Sequence, residues 1–243
     1  MTRMRMMGLA LVAVFAMAIA TSSAMATAPV FYTKANVGEA APAVPFTGTV
    51  GAAFLEGSLS KTKITCSDAV GGGSSAAGEV TGATETKNST TTFTGCETGG
   101  LKCKSTGEAE GVIKTKVLAG SLGNLTAALP GIRLFSQAEG KGGKLAEFVC
   151  GGIVTVVVKG SVIGSFSGAS GTEAANGKLP ASGKLTFAEA KGIQKYTKFA
   201  PGEGEAGSEQ LSNNSNGGEF ELSGQSVIAT LKSVPASNLG ATK

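Results

Sequence analysis

A chain of 243 residues with 37 glycines, no histidine, no tryptophan, and 21 basic against 17 acidic side chains leaves few routes to catalysis. Ser-His-Asp and Cys-His systems need an imidazole to move a proton near neutral pH, and none can be assembled. The near-even charge also lacks the concentrated basic face that supplies most non-specific affinity for nucleic acid, so no nucleic-acid partner is expected.

In chain order, Arg3 and Arg5 precede an uninterrupted apolar run from Leu9 to Ala20, and Ala24-Met25-Ala26 follows. This is the three-part pattern of a secretory signal peptide, with cleavage expected after Ala26. The run is shorter than the roughly 20 apolar residues that cross a bilayer. No later stretch reads as a transmembrane segment, so the mature product is expected to be secreted or held at the cell surface. Removing 26 of 243 residues leaves 217, which one all-β domain accommodates.

Thr27 to Pro45 holds Pro29, Pro42 and Pro45 among alanines and reads as an extended arm, because proline removes backbone donors. From residue 46 to 243 the pattern is that of a single β domain: short runs of Val, Ile, Thr and Phe between glycine, serine and asparagine clusters. Strands are predicted at Phe46–Leu55, around Thr62–Cys66, and at Gly78–Thr84, Ser89–Gly95, Glu110–Leu118 and Ile132–Gln137. Others follow at Glu147–Phe166, Lys184–Ala190, Glu219–Leu222 and Ser226–Lys232. The expected fold class is all-β, an antiparallel β-barrel or β-sandwich of about ten strands. At most one short helix is expected, between Ser121 and Leu129, where leucines recur at helical spacing before Pro130. Residues 168–183 and 201–218 are poor in apolar side chains and read as long flexible loops.

The clearest strand signal is one parity: Phe148, Cys150, Val154, Val156, Val158, Val162 and Phe166. Period two puts them on one face. In a closed barrel, Phe148, Val154, Val156, Val158, Val162 and Phe166 would line a cavity able to hold a small apolar molecule.

Four cysteines, Cys66, Cys96, Cys103 and Cys150, lie in the exported part, where pairing into two disulfides is favoured. Three connectivities are open. The turn-like segment between Cys96 and Cys103 suggests a bridge across that hairpin, which leaves Cys66 with Cys150. Paired CxxC spacing is absent, so no metal is expected at these thiols.

Chemistry is otherwise thinly represented. Two glutamates on predicted strands, Glu147 and Glu189, are the best-placed pair for a secreted glycoside hydrolase, although ordinary positions on the solvated face of a sheet explain them better. Glu203, Glu205 and Glu209 with Asn213, Asn214 and Asn216 lack the spacing of a calcium loop. Gly71-Gly72-Gly73-Ser74-Ser75 lacks the lysine of a phosphate-binding loop. No catalytic residue, metal or cofactor is assigned.

Several segments together carry a resemblance: Phe93-Thr94-Gly95-Cys96 with Cys103, Gly111-Val112-Ile113-Lys114-Thr115 through Leu118-Ala119-Gly120-Ser121-Leu122-Gly123, and Phe148-Val149-Cys150. Val158-Lys159-Gly160-Ser161-Val162-Ile163-Gly164 and Gly192-Ile193-Gln194 complete it. These resemble a group of exported proteins of high-GC actinobacteria that carries no assigned activity. The resemblance implies bacterial export and a shared fold, and it brings no site residues with it. The expectation is therefore a non-enzymatic exported β domain with a structural or binding role at the cell exterior. Its partner would be a small apolar ligand or a cell-envelope component. A glutamate-pair hydrolase, and adhesion or envelope assembly through exposed sheet edges, are the alternatives.

Overall fold

Side chains that alternate between an apolar and a polar face can bury the apolar one by curling a sheet until its edges meet. The computed structural model does this, and it describes residues 31–33, 44–68, 73–82, 84–126, 129–167, 183–198, 210–233 and 239–241. The expected signal peptide lies outside the described residues. The described residues contain no helix, and fifteen strands belong to one antiparallel sheet.

That sheet closes twice, in two stacked halves. The upper half runs β2 (Val44–Val50), β5 (Ser74–Val80), β6 (Glu85–Phe93), β10 (Leu118–Thr126), β11 (Leu129–Ser136), β13 (Val154–Ser167), β14 (Gly183–Phe187) and β18 (Glu221–Ser233), which pairs back onto β2. The lower half runs β3 (Ala53–Gly57), β4 (Lys63–Cys66), β7 (Cys96–Thr98), β8 (Leu101–Lys104), β12 (Lys144–Cys150), β13, β17 (Leu211–Ser215) and β18, which pairs back onto β3.

Both rings follow the same order, because the chain runs down through β2 and β3, up through β4 and β5, and down through β6 and β7. It continues up through β8 and β10, down through β11 and β12, and up along β13. The last two passes are down through β14 and β17 and up along β18. The fold is therefore one long up-and-down barrel of eight staves, with β13 and β18 spanning its full height. The short β9 (Ile113–Lys114) pairs with β6, and Thr115 bridges to Ala146 on β12, which ties the halves together at the waist. A single apolar cluster runs through both halves, from Phe46 and Leu231 to Phe148 and the four cysteines.

Where β14 gives way to β17, the stave between β13 and β18 is interrupted. A small hairpin, β15 (Glu189–Ala190) and β16 (Ile193–Gln194), fills the gap. The buried Gln194 side chain accepts a hydrogen bond from the Ile163 amide at 3.4 Å and donates to the Ser161 carbonyl at 3.3 Å, standing in for the absent strand. Gln194→Ala would remove both of these bonds in a buried place. A loss of about 2 kcal/mol in unfolding free energy, read by urea titration, is the expected result; a change within experimental error would show that the amide does not complete the ladder. Just beside the gap, Gly160 has φ of 104°, and a Cβ there would collide with the Gln210 carbonyl.

Four expectations about the secondary structure need correction. The segment 121–129 is not a helix: Ser121 to Thr126 continue β10 and Leu129 opens β11, paired antiparallel with each other. Leu118, Gly120 and Leu122 alternate inward, and Gly120 sits where a Cβ would come within 2.5 Å of the Thr86 hydroxyl, a close approach between strands that a helix would not provide. The expected loop 201–218 contains β17, which is hydrogen-bonded to β13 on one side and β18 on the other. The expected arm contains β1 (Phe31–Thr33), paired with β19 (Leu239–Ala241), and its last two residues belong to β2. Finally, the strands are more numerous and shorter than the ten expected, because most staves are broken at the waist.

Candidate functional site

On the inward column of β13, Val156, Val158, Val162, Gly164 and Phe166 are buried, while Val154 and Gly160 are half-buried. The neighbouring β11 and β14, with β2 and β18, bring Phe46, Val50, Ile132, Leu185, Phe187, Val227, Ala229 and Leu231 to the same interior in the upper half. Between them lies a cavity of about 80 Å³. A second cavity of about 70 Å³ lies in the lower half, walled by residues that include Ala53, Leu55, Ile64, Ala146, Phe148 and Val158. Phe93, Thr115, Leu145 and Gln225 line both, so they form a neck between the two compartments at the waist.

Of the six residues expected to line a cavity, Phe148 and Val158 wall the lower one and Val162 and Phe166 the upper one. Val156 is buried in the same core and Val154 packs against it, but neither is among the walls of the two cavities.

The polar groups of the interior were not anticipated. Along β18 the inward parity reads Glu221, Ser223, Gln225, then Val227, Ala229 and Leu231, so the column is polar below the waist and apolar above it. Thr86 is 3 % exposed, lines the upper cavity, and its hydroxyl has no hydrogen-bond partner. The Ser223 hydroxyl and the Asn213 side-chain carbonyl are likewise buried and unpartnered. No charged side chain among the described residues lines either cavity. The available signal in the sequence was a break in parity logic: Gln225 shares its face with Val227, Ala229 and Leu231, just before the predicted start of that strand.

The disulfides differ from the expected pairing. Cys66 joins Cys96, and Cys103 joins Cys150, each with Cα atoms 3.9 Å apart. Cys66 lies directly across from Cys96, and Cys103 directly across from Cys150. One further step of the β7–β8 register sets Cys96 across from Cys103, so the four cysteines form a row over four adjacent strands. A bridge between Cys96 and Cys103 would strand Cys66 and Cys150 at the two ends of the row, about 14 Å apart at ordinary strand spacing. A disulfide reaches less than about 7 Å between Cα atoms, so only the outer pairings satisfy all four sulfurs.

The structure does not bring Glu147 and Glu189 together. Glu147 lies on the outer face of β12, where its carboxylate meets Lys144 at 3.0 Å and holds that ammonium above its ordinary pKa. Glu189 accepts a hydrogen bond from the Gly192 amide at 2.8 Å within its own hairpin. Of the acidic run, Glu203, Glu205 and Glu209 lie outside the described residues. Asn213 and Asn214 are buried in β17, and Asn216 accepts a bond from the Thr155 amide.

At the lower end of the barrel, Glu221 closes the 58–60 turn by accepting hydrogen bonds from the Leu59 and Ser60 amides and the Ser60 hydroxyl. Desolvation alone would raise the Glu221 pKa, but the Ser60 hydroxyl and amide, the Leu59 amide and nearby Lys61 together outweigh it and lower the value. A carboxylate depressed in the folded state stabilises above its unfolded pKa, and that contribution is lost as pH falls through the folded value. Wild type should therefore lose stability relative to Glu221→Gln as the pH falls from the ordinary carboxylate range, about 4.3, to more acidic values. The difference at pH 7 is expected to be about 1 kcal/mol. Parallel melting curves across that range check it, and a pH-independent difference would contradict it.

No helix among the described residues is long and apolar enough to cross a membrane. No protein-family model, no curated protein and no solved structure matches the chain, so its reading rests on the geometry of its own interior.

Proposed function

We propose that this chain is an exported, non-enzymatic β-barrel that holds a small apolar molecule in its lumen at the cell exterior. The observation that carries the reading is the pair of stacked apolar cavities inside a doubly closed sheet. Well-packed interiors keep few voids larger than a water molecule. Together these two are on the scale of the ~150 Å³ apolar cavity that takes up benzene. Export is supported by the Arg3–Ala26 pattern and by two disulfides, which persist in oxidising compartments.

Native mass spectrometry of the mature protein, purified gently, is expected to find an apolar adduct in wild type. Ala229→Phe, which fills the upper lumen, should lose it. Overpacking costs about 1–3 kcal/mol, so a melting curve must accompany the variant to confirm that it remains folded. An adduct retained equally by folded Ala229→Phe, or a bare wild-type mass that stays bare after incubation with apolar probes, would refute lumen binding.

A further inference from the structure

An apolar cavity that needed only to be filled with hydrocarbon would carry no amide at its floor. Gln225 stands at the neck, half-buried, lining both compartments, and no hydrogen bond among the described residues uses its side chain. A primary amide can donate two hydrogen bonds and accept two. In register it faces Leu55, and the neck around it is made of Phe93, Leu145 and the methyl-bearing Thr115. The Thr115 hydroxyl is engaged, accepting from the Thr91 amide at 2.9 Å.

We infer that the lumen takes a slender neutral amphiphile: an unbranched alkyl body in the upper cavity and one uncharged hydrogen-bonding head group, such as an alcohol, amide or ester, on the Gln225 amide at the neck. This rests on the lumen-binding reading above and names the chemistry of its ligand. The body follows from the walls, which above the neck are Phe, Val, Leu, Ile and Ala with a few small hydroxyls. The slenderness follows from Phe46, Phe93, Phe166 and Phe187, whose rings project into a cavity of about 80 Å³. Neutrality follows from the absence of any charged side chain along either cavity among the described residues. A carboxylate or ammonium head would be desolvated there without a counter-charge, which proteins rarely tolerate. The orphaned Thr86 hydroxyl also lines the upper cavity and is the competing anchor.

The test uses n-hexane, 1-hexanol and hexanoate at pH 7, with binding followed through the methyl resonances of Val162, Leu185 and Leu231 in the intact disulfide-bonded protein. In wild type, 1-hexanol should bind at least ~10-fold more tightly than hexanoate, since the ion arrives unpaired. Gln225→Leu should weaken 1-hexanol by about 5-fold, the scale of one lost hydrogen bond, while hexane binds as well or better. Thr86→Val should leave 1-hexanol within about 2-fold of wild type, because the head group is assigned elsewhere. Hexanoate binding as tightly as 1-hexanol overturns the neutrality. A Gln225→Leu variant with unchanged 1-hexanol affinity, or a loss confined to Thr86→Val, overturns the anchor while lumen binding stands. If neither hexane nor 1-hexanol shifts the lumen methyls, the lumen-binding reading itself fails.

Discussion

Replacing Cys66 and Cys96 together by alanine is expected to lower the unfolding free energy by about 3.5 kcal/mol, and replacing Cys103 and Cys150 by about 4 kcal/mol. The figures follow from the loops the bridges close, with sequence separations of 30 and 47 residues, whose freedom in the unfolded chain each bridge restricts. Alanine is the right substitute because all four positions are buried, where a serine hydroxyl would add an unpaired polar group. Losing both bridges removes an amount comparable to the whole stability of an ordinary domain, about 5–15 kcal/mol. The reduced protein should therefore unfold at much lower urea. Non-reducing peptide mapping supplies the companion result: fragments joined as Cys66 with Cys96 and Cys103 with Cys150. A fragment joining Cys96 to Cys103, or double variants that melt like wild type, would contradict the row of sulfurs described above.

Phe166→Ala should cost about 3–5 kcal/mol, the range for emptying a buried aromatic site. Phe166 is 1 % exposed and projects into the upper cavity between β11 and β14, so its loss enlarges the lumen as well as removing contacts. Two opposite signs are expected from one change: lower stability by denaturant titration, and tighter uptake of a bulkier apolar probe such as toluene. Phe166→Leu, which conserves more volume, should cost less than about 1.5 kcal/mol and gain little affinity. A Phe166→Ala protein with near-native stability would mean that the side chain does not sit in a packed interior. Lost stability without any gain for toluene would mean that the lumen collapses to fill the space.

Legibility in the sequence followed the strength of local signals. The one-parity run from Phe148 to Phe166 was readable because period two persists along β12 and the 14 residues of β13, and the barrel keeps that face inward throughout. The segment around Leu122 and Leu125 misled because its leucine spacing is helical by coincidence, and only the close approach of Gly120 to Thr86 on a distant strand reveals the sheet. Leu211 to Ser215 reads as loop because Asn213 and Asn214 carry no apolar signal. Its strand character comes from ladders on both sides, a tertiary fact. The sulfur pairing failed for a related reason: hairpin logic sees two neighbouring strands, and the answer depends on four. The apolar parity of β12 and β13 is thus readable, whereas the polar groups of the interior, Gln225, Thr86, Ser223 and Asn213, emerge only when parity is followed along complete staves.

The serial order of the staves has a consequence for how the chain matures. Each stave zips onto the one made just before it, so contacts stay local and assembly can keep pace with a polypeptide that emerges from one end. The exception is the seam between β18 and β2–β3, the first and last staves, which no amount of early progress can form. Until β18 arrives, the nascent sheet presents an unpaired β2–β3 flank and an open, greasy trough, the state most prone to sticking to its copies. Quality of the finished product should hinge on how quickly that last seam shuts.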